Sequence, residues 1–565
     1  MFARTGVISF FLAFSSASSS SKIETLVERA NGLNLSEARF WHLLVRYQDG
    51  LYGFESEADN DDFFFAKDGK TNPKAELEAT IRNLLSADIP EGQEVHPQCR
   101  FPARFKWLWK QLQLGNENVP MMRCPEVLKF MRTMKPNRVV LVFASAYLNA
   151  PPSMYGHTFL RFDNVNHPKT LMLSNIINFA ANPTTKNPLA YTVMGIFGGF
   201  PGRFAGMPYY VKIREYSDMD SRDLWEYEIP VSPDQIDWML RYAWDLDQTH
   251  FDYYFFTENC SYHILDLLSI AYPDFAREDG LPLFSLPFDA IKLLREHIGI
   301  QKEPVFRPSH ITKMQARRAG LDSTEADVAD DIAHGEHTAD FAELKDFPEA
   351  RQAAILDAAH DRFKYLTGFE DQPDEELVQE TRARDMAILN ARRGIQVAAV
   401  EPEYEKPTAP HSSHGSARLG LAVGSRENGR MFGEIWYRRA LHDALDRQDG
   451  FIPNSELEMF SFKLRLQPHA LQDGKEHQNS VLLERLNFMK ITSVLPITDW
   501  VRPISWRFGL NYGRVRDLGC LGWDCTALTL EGGPGFAFES SLLGKELFYG
   551  FAEVHLSAGP AYEED

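Results

Sequence analysis

The run Thr257-Glu258-Asn259-Cys260-Ser261-Tyr262-His263-Ile264-Leu265-Asp266-Leu267-Leu268 constrains this chain more than any other stretch. The aromatic residues 253–256 precede it, and Pro273 closes it. Between those limits the apolar residues recur at helical spacing. Thr257 or Asn259 can cap the helix, because each offers a side-chain oxygen to the first backbone N–H groups. Cys260 then falls in the first turn. The N–H groups and the helix dipole there favour thiolate over thiol. Such a thiolate is an activated nucleophile wherever a histidine reaches it. The plain alternative is a small buried cysteine that packs a helix.

The sequence ahead of this run supplies a histidine. Residues 139–143 are unbroken apolar, as a buried strand requires. After Pro151-Pro152 the chain alternates: His157, Phe159 and Arg161 point one way, Thr158, Leu160 and Phe162 the other. His157 thus opens a strand directly after Gly156, where a rigid backbone can present a ring nitrogen to a cleft. Its plain alternative is a satisfied surface histidine. Residues 171–179 read as the next strand, from which Asn178 or Asn175 can fix the imidazole tautomer. Residues 195–206 are glycine-rich but lack the Lys-Ser/Thr ending of a phosphate loop; they suit a flap or a plain loop. Residues 209–216 and 224–229 read as two further strands. Ser232-Pro233-Asp234-Gln235 joins a cap, an N1 proline and a capping-box glutamine, and starts a helix reaching about Asp247.

The first residues, with Arg4, an apolar run over 6–14 and the small residues Ser15-Ser16-Ala17, read as a signal peptide spanning 1–17. Export bears on the cysteines, which number five. An oxidising compartment lets Cys99 pair with Cys124 across a possible hairpin, and Cys520 with Cys525. Cys260 is left over, hence reactive or buried. Residues 23–135 look mainly helical: Ser36 can cap a helix over 37–47, and 73–85 and 105–112 read as two more. Phe63-Phe64-Phe65 reads as core. The net charge of −20 argues against a nucleic-acid partner. No His-Glu-x-x-His or paired Cys-x-x-Cys is present, so neither a metal nor a cofactor is expected.

The words Gly156-His157-Thr158-Phe159-Leu160-Arg161-Phe162 and Glu258-Asn259-Cys260-Ser261-Tyr262-His263 closely resemble the Lnb N-terminal periplasmic domain family. The resemblance covers roughly residues 130–315. It implies a papain-like α+β domain, circularly permuted so that histidine precedes cysteine. The family's named member transfers an acyl chain to the amino terminus of bacterial lipoproteins. The resemblance therefore implies thiol acyl transfer; the expected partners are phospholipid as donor, a lipoprotein or other acyl acceptor, and the outer membrane. On this reading Cys260 is the nucleophile, His157 the base and then acid, and Asn178 the orienting residue; Tyr155, Asn175, Asn259 and His263 support the site or contact substrate. The Cys260 backbone N–H would help hold the oxyanion. A cysteine peptidase or cell-wall amidase would use the same residues, and a non-catalytic envelope barrel with a binding domain is a third reading.

Residues 316–397 read as charged helices and 398–415, with three prolines, as a linker. From 416 to 565 period-two alternation dominates, as at 462–467 and 506–513. Apolar and aromatic residues alternate with charged or small ones, which predicts an outer-membrane barrel, complete or not, or else a soluble sandwich. The expected fold class is multidomain α+β: a helical leader over 23–135, a permuted papain-like domain over 136–315, and an antiparallel β domain. The expected address is the periplasm or the outer membrane.

Overall fold

The computed structural model describes residues 21–562, apart from 51, 116–118, 149–152, 165–167, 186, 276–284, 337–340, 369–374, 426–430, 468–469, 473–474, 478–479 and 516–524. The expected signal peptide, Pro151-Pro152 and Cys520 lie outside the described residues. The chain forms two compact units. One holds the chain through Ala144 with Tyr155–Tyr216 and Leu224–Arg307; the other holds Ser145–Met154, Ser217–Asp223 and Pro308 onward.

In the first unit the leader is helical, with one small hairpin, Tyr47–Gly50 against Gly53–Ser56. The helix expected at 37–47 is shorter, Arg39–Val45, and Ser36 does not cap it: Ala38 stands at the N-cap with no side-chain bond. Arg46, at φ 65°, ends the helix and turns the chain into the hairpin. Pro73–Leu85 forms as expected, capped by Asn72. The aromatic helix starts earlier than expected, at Pro102–Gln111. It lies between Cys99 and Cys124, so the disulfide joining those two closes a helical segment and not a hairpin. Phe63 is fully buried, edge-on to Phe64 and Phe101.

The centre of this unit is an antiparallel sheet. Its strands are β1 (Arg138–Ala144), β2 (His157–Asp163), β3 (Asn175–Ala181), β4 (Phe200–Pro208), β5 (Leu224–Ile229), β6 (His250–Tyr253) and β7 (Val305–Arg307), in the order β6-β4-β3-β2-β1-β5-β7. Helices α1 (Pro233–Leu246), α2 (Cys260–Ser269) and α3 (Pro287–Ile298) complete it. The capping box at Ser232 and Gln235 forms.

Three local expectations are corrected. Residues 171–173 belong to a 3-10 turn, Pro168–Leu173, and the strand begins at Asn175. The glycine-rich segment is no flap: it ends a helix, turns, and becomes β4. Gly202 is small because a Cβ there would lie 2.5 Å from the Phe179 ring, so ring packing and not loop mobility accounts for it. Residues 209–216 alternate like a strand but form helix Tyr209–Ile213 and a π-helical turn, Arg214–Met219. Tyr209 and Tyr216 there cover one sheet face, against Val140, Val142, Phe159 and Ile176.

In the second unit, helices His310–Ala319, Ser323–His334, Glu349–Thr367 and Glu375–Gly394 share a core with Trp500 and Val501. The β domain is one antiparallel sheet with β8 (Arg418–Ser425), β9 (Met431–Arg438), β10 (Ser455–Gln467), β11 (Ser480–Ser493), β12 (Ser505–Arg514), β13 (Thr526–Ser540), β14 (Glu546–Phe551) and β15 (Val554–Ala558). Neighbours pair in sequence order from β8 to β14, and β15 lies on the same side of β13 as β14. Of the expected barrel, complete or not, closure is not seen: among the described residues β8 and β14 do not pair, and the sheet is open. Alternation reports that a sheet has two unlike faces; it carries no information on whether the edges meet.

Candidate active site

Cys260 begins α2 because Asn259 caps it. The Asn259 Oδ1 accepts from the Ser261 N–H (3.0 Å), the Ser261 hydroxyl (2.7 Å) and the Tyr262 N–H (3.4 Å). Its Nδ2 donates to the carbonyls of Phe255 (3.1 Å) and Ser285 (2.6 Å). Both ends of the amide are thus engaged in holding the turn, which makes Asn259 a supporting residue. Cys260 is a thiol outside any disulfide, 3% exposed, at the positive end of the helix. Cys525 is disulfide-bonded.

His157 begins β2. Gly156 before it has φ +89°, and a Cβ there would meet the Phe143 ring at 2.4 Å, so glycine is required on both counts. The imidazole is 8% exposed, and its Nε2 lies 2.6 Å from the Asn178 Oδ1. An amide oxygen only accepts, so Nε2 carries the proton and Nδ1 is the ring's basic nitrogen. Asn178 is 2% exposed. Register decides between the two asparagines. Arg161 pairs with Ile176, which puts Asn178 on the face of His157; Asn175 pairs with Phe162 and faces the other way. The β2–β3 ladder covers only Leu160–Phe162, so the His157–Asn178 bond spans the two strands beyond the point where backbone pairing stops.

The starts of β2 and α2 lie at one end of the sheet. Tyr155, just ahead of β2, sets its ring edge-on to Phe256, just ahead of α2, at 5.7 Å. Helix α2 packs on β2 and β3. The body of α2 takes the face opposite His157, since the His263 ring lies 3.9 Å from Phe179. Tyr253 links the two sides. Burial holds its phenol well above the usual range, helped by the Cys260 thiol, and the Cys260 backbone N–H turns to its oxygen. Tyr216 acts on the same hydroxyl, and its ring lies 5.6 Å from that of His157. An oxyanion formed at Cys260 would share that N–H with the Tyr253 phenol or displace it. Tyr155 carries a second phenol, pushed well above its usual range by burial, whose buried oxygen has no hydrogen-bond partner among the described residues.

His263 is held away from chemistry. It is fully buried, and its Nδ1 lies 3.0 Å from the Arg46 guanidinium, which can only donate. Arg46 also pairs with Glu57 (2.5 Å) and Asp266, and the Tyr262 hydroxyl donates to Glu57. This buried ionic cluster fixes α2 to the leader. Sequence reasoning missed Arg46, which no motif links to α2, and gave Tyr253 and Tyr216 no role. Among the described residues no three His, Cys, Asp or Glu side chains group as metal ligands.

Residues 126–297 match the Lnb N-terminal periplasmic domain. This chain carries an Lnb N-terminal periplasmic domain. Three domains of unknown function accompany the Lnb domain: DUF7843 over 33–111, DUF7842 over 304–403 and DUF7840 over 407–565. No curated protein and no solved structure matches the chain. Cys260, His157 and Asn178 all fall inside the Lnb domain.

Proposed function

We propose that the Lnb domain is a permuted papain-like thiol acyltransferase or hydrolase of the cell envelope, with Cys260 as nucleophile. The observation that carries this reading is the bond from His157 Nε2–H to Asn178, which leaves Nδ1 as the base, at the sheet end where α2 presents its thiol. This reading requires the base and the thiol to meet around that end, where the β2–β3 ladder has stopped. The imidazole takes the thiol proton, and the thiolate attacks an ester carbonyl of a phospholipid. The tetrahedral oxyanion collapses, the C–O bond breaks, and the imidazolium returns the proton to the departing lysolipid oxygen. An amine or water then attacks the thioester, His157 takes its proton, and Cys260 leaves as thiolate.

An acyl donor suits the surroundings better than a peptide or glycan does. Tyr191 packs on Phe200 and Phe255, and Gly195 closes on the Phe255 ring, so the segment just ahead of α2 is an apolar aromatic cluster. An acyl chain reaching Cys260 past this cluster would be held by apolar contact. The acceptor that fits the family is the amino terminus of a lipoprotein, and the site of action is the periplasmic face of the envelope.

The test is mass spectrometry after incubation with phosphatidylethanolamine and phosphatidylglycerol vesicles. One acyl chain should appear on Cys260 as a hydroxylamine-labile adduct and should transfer to an added lipopeptide amine. A folded protein that acquires no adduct on Cys260 contradicts the proposal.

A further inference from the structure

The C-terminal sheet hides the wrong face for a protein in water. Following the register, one row runs Leu419, Tyr437, Phe462, Leu486, Tyr512 and Leu528, one residue from each strand β8 to β13. A parallel row joins Met489, Leu510, Leu530 and Leu556. These rows share one face, and no charged residue interrupts them. Many of its side chains lie open: Leu421 and Val423 are 75% and 77% exposed, and Val554 and Leu556 are 64% and 62%. The other face carries the charges, and several of them are hidden there. Arg438 is 2% exposed and pairs with Asp443 and Asp446; Glu484 is 5% exposed and lies by Arg465 and Arg514. A cavity of about 650 Å³ opens on this ionic face, lined by Lys463, Arg485, Asn487 and Arg514 among others.

Hidden charges around a cavity mean that the sheet curls toward its ionic face, so the apolar face is the outer, convex one. Two convex faces touch only along a line, which disfavours a second copy stacked on it. A lipid phase conforms to convexity. The dimensions agree. From Leu528 to Phe538, with only Gly532 and Pro534 between apolar side chains on that face, β13 covers about 34 Å. At a strand tilt of about 45° that is about 24 Å of depth, close to the roughly 25 Å apolar band of outer-membrane sheets. We infer that the convex face of β8–β15 contacts lipid acyl chains, with the ionic face turned inward to water. Hydrocarbon cannot satisfy backbone N–H groups, so β8 must gain a strand partner in the membrane.

The test uses the full chain in a Cys260→Ser background, which separates it from the acyl-transfer reading. Leu530→Cys and Thr529→Cys are adjacent and face opposite ways. Each is labelled with an environment-sensitive fluorophore and mixed with phosphatidylethanolamine and phosphatidylglycerol vesicles carrying brominated acyl chains. The label at 530 should shift to the blue and be quenched, and the label at 529 should do neither. The β8 amides should exchange more slowly in vesicles than in solution. Leu421→Arg, at an exposed position that folding does not use, should lower vesicle partition on the order of a hundredfold. Equal quenching at both sites, unprotected β8 amides in vesicles, or a label at 530 already buried by self-association without lipid would overturn the proposal.

Discussion

The central sheet and the C-terminal sheet are both antiparallel, and their strands alternate alike in sequence, yet they conceal opposite sets of side chains. In β2 all seven residues are buried, and its one arginine, Arg161, is enclosed by Asp163 and Glu226. Helix α2 packs on β2 and β3, and Tyr209 and Tyr216 cover the opposite face at Val140, Val142, Phe159 and Ile176, so the polar residues of these central strands are few, paired and placed. In β8 the leucines are open and the small residues face the ionic side. Buried polarity in the first sheet therefore marks specific devices, including His157–Asn178. In the second it marks an inner wall. Alternation alone does not separate these cases, because it names two faces without saying which one meets solvent.

If this contrast holds, the largest effect belongs to the device in the first sheet's unit. Cys260→Ser should lower turnover by several powers of ten with thermal stability unchanged, measured as acyl transfer to a lipopeptide. Retained turnover would leave the Lnb domain without its nucleophile.

Much of that device was legible in sequence. Gly156-His157 at a strand start and Asn259-Cys260 at a helix start both form where local rules put them, because caps, glycine turns and alternation act over a few residues. The sequence favours Asn178 over Asn175, but what puts Asn178 on the face of His157 is register with β2, which the sequence does not carry. The Arg46 cluster was not legible, since it joins residues distant in sequence through packing alone. Residues 209–216 misled because an alternating aromatic segment also suits a short helix laid on a sheet. Sheet closure was not legible because it depends on where strand edges end up.

The next effect concerns buried charge. Arg104 and Glu76 are both fully buried and paired at 3.1 Å. Burial pushes Glu76 up and Arg104 down, each against the other's attraction. Arg104→Met should cost about 3–5 kcal/mol by denaturant unfolding, because it strands the carboxylate, and adding Glu76→Gln should recover part of it. A cost below about 1 kcal/mol would mean that buried ions in this unit are not held by pairing.

A smaller effect distinguishes the units by pH. Burial pushes Asp245 up to about 7, against N–H groups donated by Ala103 and Arg104. Its stabilising contribution is full below the unfolded value near 4 and is lost as pH rises through about 7. His442 is pushed down to about 4, first by burial and then by the His414 and Arg438 charges. Its contribution is full above the unfolded value near 6.5 and is lost as pH falls toward 4. Hydrogen exchange resolved by unit should show opposite slopes of roughly 1–3 kcal/mol, removed by Asp245→Asn and His442→Gln respectively. The smallest effect is Leu421→Arg in water, expected within about 0.5 kcal/mol because the side chain is already exposed. A larger loss would mean that the convex face is packed in solution.

The central claim is that His157, aligned by Asn178, activates Cys260, and the rate of Cys260 alkylation against pH tests it most directly. In the wild type the rate should stay high below neutral pH, because an imidazolium beside the thiolate lowers the thiol pKa below its reference of about 8.5. In His157→Ala that acid-side reactivity should vanish and return only in alkali. Asn178→Ala should fall between the two, and His263→Ala should leave the profile near wild type. A profile that ignores His157 would contradict the account.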